Sequence, residues 1–254
     1  MNDQSDGKKI PILLKKEPLI EAVWEIRFKK TNPSIAELLP GLIFKEMHQR
    51  YPGISRLPAA DIPSAIIDRD SSLRYVPKIR LDGGTRAIQI GEYVLGLSCR
   101  RPYPGWDAFS ADIRALVNLV QETGLITSLE RFSLKFVNLI ETNQPPKLDS
   151  LNVELRVGDK ANDESPVLIR TEMRTKEFVH IIQIVSPAEV VLPDEQSSRS
   201  GVLLDIDTIA FLQGDNSWLE MNNLLDEGHL AAKNIFFELL SRDTINKMEP
   251  VYEG

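Results

Sequence analysis

Apolar and polar positions alternate along EPLIEAVWEIRF, residues 17–28. Ile20, Ala22, Trp24, Ile26 and Phe28 fall on one side of an extended chain, and Glu21, Val23, Glu25 and Arg27 on the other. That period predicts a half-buried strand over about 19–29. The spacing then changes. Ile35, Leu38, Leu39, Leu42, Ile43 and Met47 recur as on one helix face within NPSIAELLPGLIFKEMHQRY. Asn32 or Ser34 is placed to cap that helix, and Pro40 inside it predicts a kink or break. PGISRLPAADIPSAIIDRD carries three more prolines and reads as a long loop. LRYVPKIRL and RAIQIGEYVLGLSC flank DGG, which predicts a hairpin. WDAFSADIRALVNLVQETG predicts a helix, with Phe109, Ile113, Leu116, Val117 and Val120 as its stripe and Gly124 as its cap. SLERFSLKFVNLIE alternates again as a strand.

TNQPPKLDS breaks the pattern and suggests two halves, 1–143 and 144–254. The second half predicts strands at LNVELRV, PVLIRTEMRT, FVHIIQIVS and GVLLDIDTIAF, with PAEVVLPDEQSSRS as a loop. A long helix over roughly 217–247 follows, with Leu225, Ala232, Ile235, Phe236 and Leu239 as its stripe. Gly228 inside it weakens it by about 1 kcal/mol against alanine. Most strands follow one another without a helical crossover. The expected class is therefore α+β, a mainly antiparallel sheet packed against helices, in two halves that resemble each other in order but not in residues.

Composition narrows the function. With 254 residues and 42% hydrophobic content, the chain can bury a sizeable core. Neither a membrane-spanning apolar run nor a signal peptide is read, so a cytoplasmic protein is expected. Cys99 is the only cysteine, which fits a reducing compartment. VLGLSC reads as the end of a buried strand, so Cys99 is expected to be structural. The net charge of −7 is uneven. Residues 1–143 hold 20 basic and 17 acidic residues, whereas 144–254 hold 10 and 20. The acidic half argues against a whole-surface nucleic-acid binder. Nucleotide-binding glycine loops, zinc motifs and the serine-hydrolase elbow are all missing from the sequence.

What remains is a recurring charged strand face. Glu21, Glu25 and Arg27 share a side of their strand, as do Arg131 and Lys135, Glu154 and Arg156, Arg170, Glu172 and Arg174, and Asp205 and Asp207. The plain reading is a solvated face. A sharper one gathers Glu25, Arg27, Lys135, Arg174, Asp205 and Asp207 into a cupped site. There, carboxylates such as Asp205 and Asp207 hold Mg or Mn while the cations clamp a polyphosphate. That plan resembles the triphosphate-tunnel enzymes, whose first strand carries Glu-x-Glu-x-Lys. VWEIRF has one glutamate in that frame, and arginine in place of lysine. A third reading packs this face, which also holds Val23, Val137, Leu203 and Phe211, on a partner. Smaller signals are Arg100, Arg101, Tyr103 and Trp106 in SCRRPYPGW, which would stack on nucleic-acid bases or simply form a tight turn. His229 reads as a polar helix position and His180 as a satisfied strand residue.

Four stretches, PLIEAVWEIRF, RFSLKFVNLIE, LLDIDTIAF and HLAAKNIFFELLS, together resemble a sporadically distributed bacterial family of proteins of about this length, with no established activity. In that family the middle stretch has the form Arg-x-x-Leu-Arg-Tyr-x-Asn-x-Ile. Arg131, Leu134, Lys135, Phe136, Asn138 and Ile140 stand at those places, so lysine and phenylalanine replace arginine and tyrosine. The resemblance implies a stand-alone bacterial protein and supplies no catalytic residues. The leading expectation is a non-catalytic binding or assembly protein, linked by analogy to defence or mobile genes, acting with a protein partner or as a homo-oligomer. The helix stripe Ile235, Phe236 and Leu239 is its candidate contact. A metal-dependent phosphoryl-transfer enzyme and a nucleic-acid binder are the alternatives.

Overall fold

The structure is a computed structural model that describes residues 9–142, 148–161, 166–192, 197–214 and 216–253. In chain order the first elements are β1 (Leu13–Leu14), β2 (Leu19–Phe28), α1 (Ile35–Met47), β3 (Gly53–Arg56) and a short α2 (Ser64–Ile67). Next come β4 (Ile79–Gly83), β5 (Arg86–Ile90), β6 (Val94–Arg100), α3 (Trp106–Glu122) and β7 (Leu129–Glu141). A small hairpin, β8 (Arg156–Val157) and β9 (Lys160–Ala161), precedes β10 (Val167–Thr175), β11 (Phe178–Val191) and β12 (Ser198–Phe211). The chain closes with α4 (Ser217–Leu239), α5 (Arg242–Lys247) and β13 (Pro250–Val251).

Nine strands form one sheet in the order β10-β11-β12-β7-β2-β6-β5-β4-β3, and each neighbouring pair is antiparallel. The expected α+β class is what the chain adopts. Each half supplies a strand, a meander whose last strand returns to pair with that first strand, and then a helix. In the first, β6 returns to β2 before α3; the second starts with β7, upstream of the expected boundary, and β12 returns to β7 before α4. The two leading strands pair at the centre, from Leu19↔Asn138 to Phe28↔Leu129. The halves resemble each other in topology and share one sheet. The expected boundary at 143–144 touches residues outside the described ones.

The alternation of β2 sets the layers. Ala22, Trp24, Ile26 and Phe28 are fully buried, and they join Phe132 and Leu134 of β7 and the apolar faces of α1, α3 and α4 in the main core. A second cluster under β11, β12 and the end of α4 holds Ile182, Ile184, Leu204, Ile206 and Ile235. Gly228 has a packing reason. A Cβ there would lie 3.0 Å from the ring of Phe132, so the missing side chain lets α4 approach β7 closely.

Several expectations need correction. α1 runs through Pro40 without a break, and the Ser34 hydroxyl bonds the Glu92 carboxylate at 2.7 Å instead of capping the helix. The loop 52–70 holds β3, a single 3-10 turn and α2. RAIQIGEYVLGLSC is two strands, and LRYVPKIRL becomes strand only from Ile79. LNVELRV adds no strand to the sheet. Leu151 bridges to Leu240, and Arg156–Val157 pair only with Lys160–Ala161 in the separate β8–β9 hairpin. β11 continues into PAEVV, with residues 193–196 outside the described ones. The last helix ends at Leu239. Leu240 is extended, and the Ser241 hydroxyl accepts from the Thr244 amide to start α5.

Candidate functional site

Strand register brings most of the charged sets to the side of the sheet away from the helices. Glu25 stands opposite Ser133, Arg27 opposite Arg131, and Lys135 opposite Asp207. There they form a chain of ion pairs. Glu25 accepts from Arg27 at 2.7 Å and from Arg131 at 3.1 Å. Arg131 reaches across to Asp207 at 2.9 Å, and the Ser133 hydroxyl donates to the same carboxylate. Lys135 holds Asp205 at 2.9 Å, and Gln183 donates to that carboxylate at 3.4 Å. The Arg27 guanidinium also lies 4.0 Å over the Tyr75 ring.

This chain contains Arg27, Arg131 and Lys135 against Glu25, Asp205 and Asp207, so it is neutral within itself. The Arg131 side chain is 11% exposed, and such half-buried pairs are costly to break on one side. Burial pushes the Asp205 carboxyl up while Lys135 opposes the shift. Arg174 lies outside the chain, exposed on β10. Arg156 belongs to the separate β8–β9 hairpin and Glu154 precedes it, so that set is not on the face. Among the described residues no three His, Cys, Asp or Glu side chains are grouped to hold a metal ion.

The other singled-out residues scatter. Cys99 is fully buried in the main core, and burial raises its thiol. His180 is enclosed between the hydroxyls of Thr175 at 2.6 Å and Thr208 at 2.9 Å. Ile235 is buried in the second core cluster, with Phe236 and Leu239 packed half-buried against it, so this stripe is largely used inside the chain. Arg100 stands opposite Glu21, and Arg101 donates to the Glu17 carbonyl at 3.1 Å. Tyr103 and Trp106 turn inward against the main core.

Their destination is a cavity of about 210 Å³. Five parts of the chain wall it: 11–19 around β1, the turn from Tyr103 to Trp106, Phe136 and Asn138 of β7, Ile206 of β12, and α4 from His229 to Phe237. The His229 ring stacks on Trp106, with centroids 3.9 Å apart and planes 3° from parallel, and Phe136 meets it edge-on at 6.0 Å. Burial, with Lys233 adding to it, lowers His229 to about 4, so the imidazole is neutral at pH 7. Burial also lowers Lys233 and raises the Glu17 carboxyl. The Tyr103 hydroxyl is buried with no hydrogen-bond partner. An apolar cavity with a few convergent polar groups and shifted titration is the usual form of a small-molecule site.

The sequence singled out Tyr103 and Trp106 together and His229 apart from them, and did not connect the two. Lys233 went unnoticed. The available signal was spacing, since His229 and Lys233 are four apart on one helix beside an apolar stripe. No protein-family model, curated protein or solved structure matches this chain.

Proposed function

We propose that this chain is a non-catalytic binding protein whose ligand occupies the cavity between α4, the Tyr103–Trp106 turn and the β1 segment. One observation carries the reading: the Tyr103 hydroxyl is buried in the cavity wall with no hydrogen-bond partner among the described residues, and the half-buried Lys233 in the same wall has no ion pair among them. Buried polar groups are nearly always satisfied, and a bound molecule would satisfy the Tyr103 hydroxyl and meet the Lys233 ammonium. The four stretches that resemble the sporadic bacterial family each contribute to the wall, through Pro18, Phe136 and Asn138, Ile206, and His229 to Phe237. The phosphoryl-transfer alternative draws less support, because each of its carboxylates on the charged face already accepts from a cation. The bacterial setting and the link to defence genes rest on the resemblance alone. No helix among the described residues is long and apolar enough to cross a membrane.

Thermal unfolding with a panel of single-ring fragments, acidic, neutral and basic, tests this reading. A ligand at 100 times its Kd adds about 2.7 kcal/mol. At least one fragment is expected to raise Tm, and Ala232→Leu, which grows into the cavity from a 3% exposed wall position, to cancel the rise. A panel without any shift, or a shift that survives Ala232→Leu, contradicts the proposal.

A second reading, assembly with another chain, is favoured by the edge strand β10. Among the described residues one side of β10 is unpaired, and Leu168 is 74% and Met173 37% exposed on this strand. An unprotected edge offers a ready backbone template to another strand.

A further inference from the structure

Two charged side chains line the cavity, Glu17 and Lys233, and they differ in what offsets them. Glu17 has Arg101 beside it, which works against the burial that raises its carboxyl. Among the described residues no carboxylate pairs with Lys233, and burial alone acts on it. The nearby acids are engaged elsewhere or face the imidazole. Asp226 accepts from Arg114 at 2.7 Å, and Asp107 acts on His229. Lys233 is thus a half-buried cation to which the described residues supply no counter-charge, at a wall that is otherwise mostly apolar. A cation drawn out of water is stabilised when an anion meets it, and the low local dielectric strengthens that contact.

Shape adds a second constraint. The stacked rings of Trp106 and His229 offer a flat surface, and Phe136 stands edge-on to it. An apolar cavity of roughly 150 Å³ holds benzene, so 210 Å³ admits one ring with a small substituent. The Tyr103 hydroxyl supplies a donor that has no acceptor among the described residues.

We propose that the cavity takes a small organic monoanion, one apolar ring bearing a single carboxylate, with the carboxylate held by Lys233. This rests on the reading of the cavity as a binding site. Calorimetry at pH 7 with benzoate, phenylacetate, benzyl alcohol and benzylamine tests it, on the intact chain and on Lys233→Met. Methionine keeps the apolar stem and drops the charge. The two carboxylates are expected to bind at least tenfold tighter than benzyl alcohol, benzylamine not to bind, and Lys233→Met to lose the preference while folding as stably as the parent. Benzyl alcohol or benzylamine binding as tightly as benzoate, or unchanged benzoate affinity in Lys233→Met, overturns the anion assignment and leaves the cavity as a binding site. Binding by none of the four overturns both.

Discussion

His229 shows how one residue takes its properties from its setting. In sequence it sits beside Asp226 and Glu227 and would pass for an ordinary surface histidine. In the fold its ring is pressed flat on Trp106, with Lys233 one helical turn on. Burial and Lys233 hold it down at about 4, while Asp226 and Asp107 pull the other way. The sign of the consequence is fixed. As pH falls through the ordinary histidine range the unfolded chain takes up a proton here and the folded chain does not. Stability is therefore fully present above about 6.5 and is lost between 6.5 and about 4. The difference corresponds to on the order of 3 kcal/mol. His229→Gln removes this contribution, so its urea-unfolding free energy should fall less than the parent's between pH 7 and 4.5. Parallel curves for the two proteins would show that the imidazole is not desolvated.

At the scale of elements, α4 is the piece that joins core and cavity. Its approach to β7 depends on Gly228, where a Cβ would stand 3.0 Å from Phe132 and 3.4 Å from Phe178. Alanine in place of glycine normally gains about 1 kcal/mol within a helix. Here a fully buried ring must give way, and overpacking costs about 1–3 kcal/mol. Gly228→Ala should therefore lower Tm, where a helix free of this contact would raise it. Calorimetric scanning decides between the two, and a rise would mean that α4 stands further from the sheet. The same helix shows what could be read beforehand. Alternation separated Trp24 from Glu25 and Arg27, and set Asp205 and Asp207 on one face, as the fold has them, because period two is a local property. Helix stripes placed Phe109 and Leu225 for the same reason. Partnership is not local. LNVELRV alternates as well as a strand does, yet only Arg156–Val157 enter a strand, in a hairpin apart from the main sheet. Leu240 keeps the apolar spacing of α4, and only Ser241, a capping residue, signalled the break. The cavity needed five segments to meet, and no single window contains them.

For the whole molecule, two similar meanders joined through β2 and β7 leave one sheet with helices on one side and a charged face on the other. The central part of that face is self-neutralising, which favours a stable surface over a steering one. Its outer part is different. On β10, Leu168, Arg170, Glu172 and Arg174 project from the charged face, and the strand's free edge carries backbone groups without a partner strand. Natural edges are usually shortened, bulged or covered. This one pairs with β11 in continuous register from Val167↔Ser186 to Thr175↔Phe178, so its outer side runs just as evenly. If it joins a second copy, antiparallel pairing of the two β10 strands would bring Leu168 of one chain near the Arg174 end of the other and continue the sheet. Light scattering on the purified chain should then give a dimer mass that falls to the monomer in Leu168→Lys/Met173→Lys, with thermal stability held within about 0.5 kcal/mol because both sites are at the surface. A monomer in the parent chain, or a dimer indifferent to both lysines, would place any assembly elsewhere and leave the cavity as the molecule's functional centre.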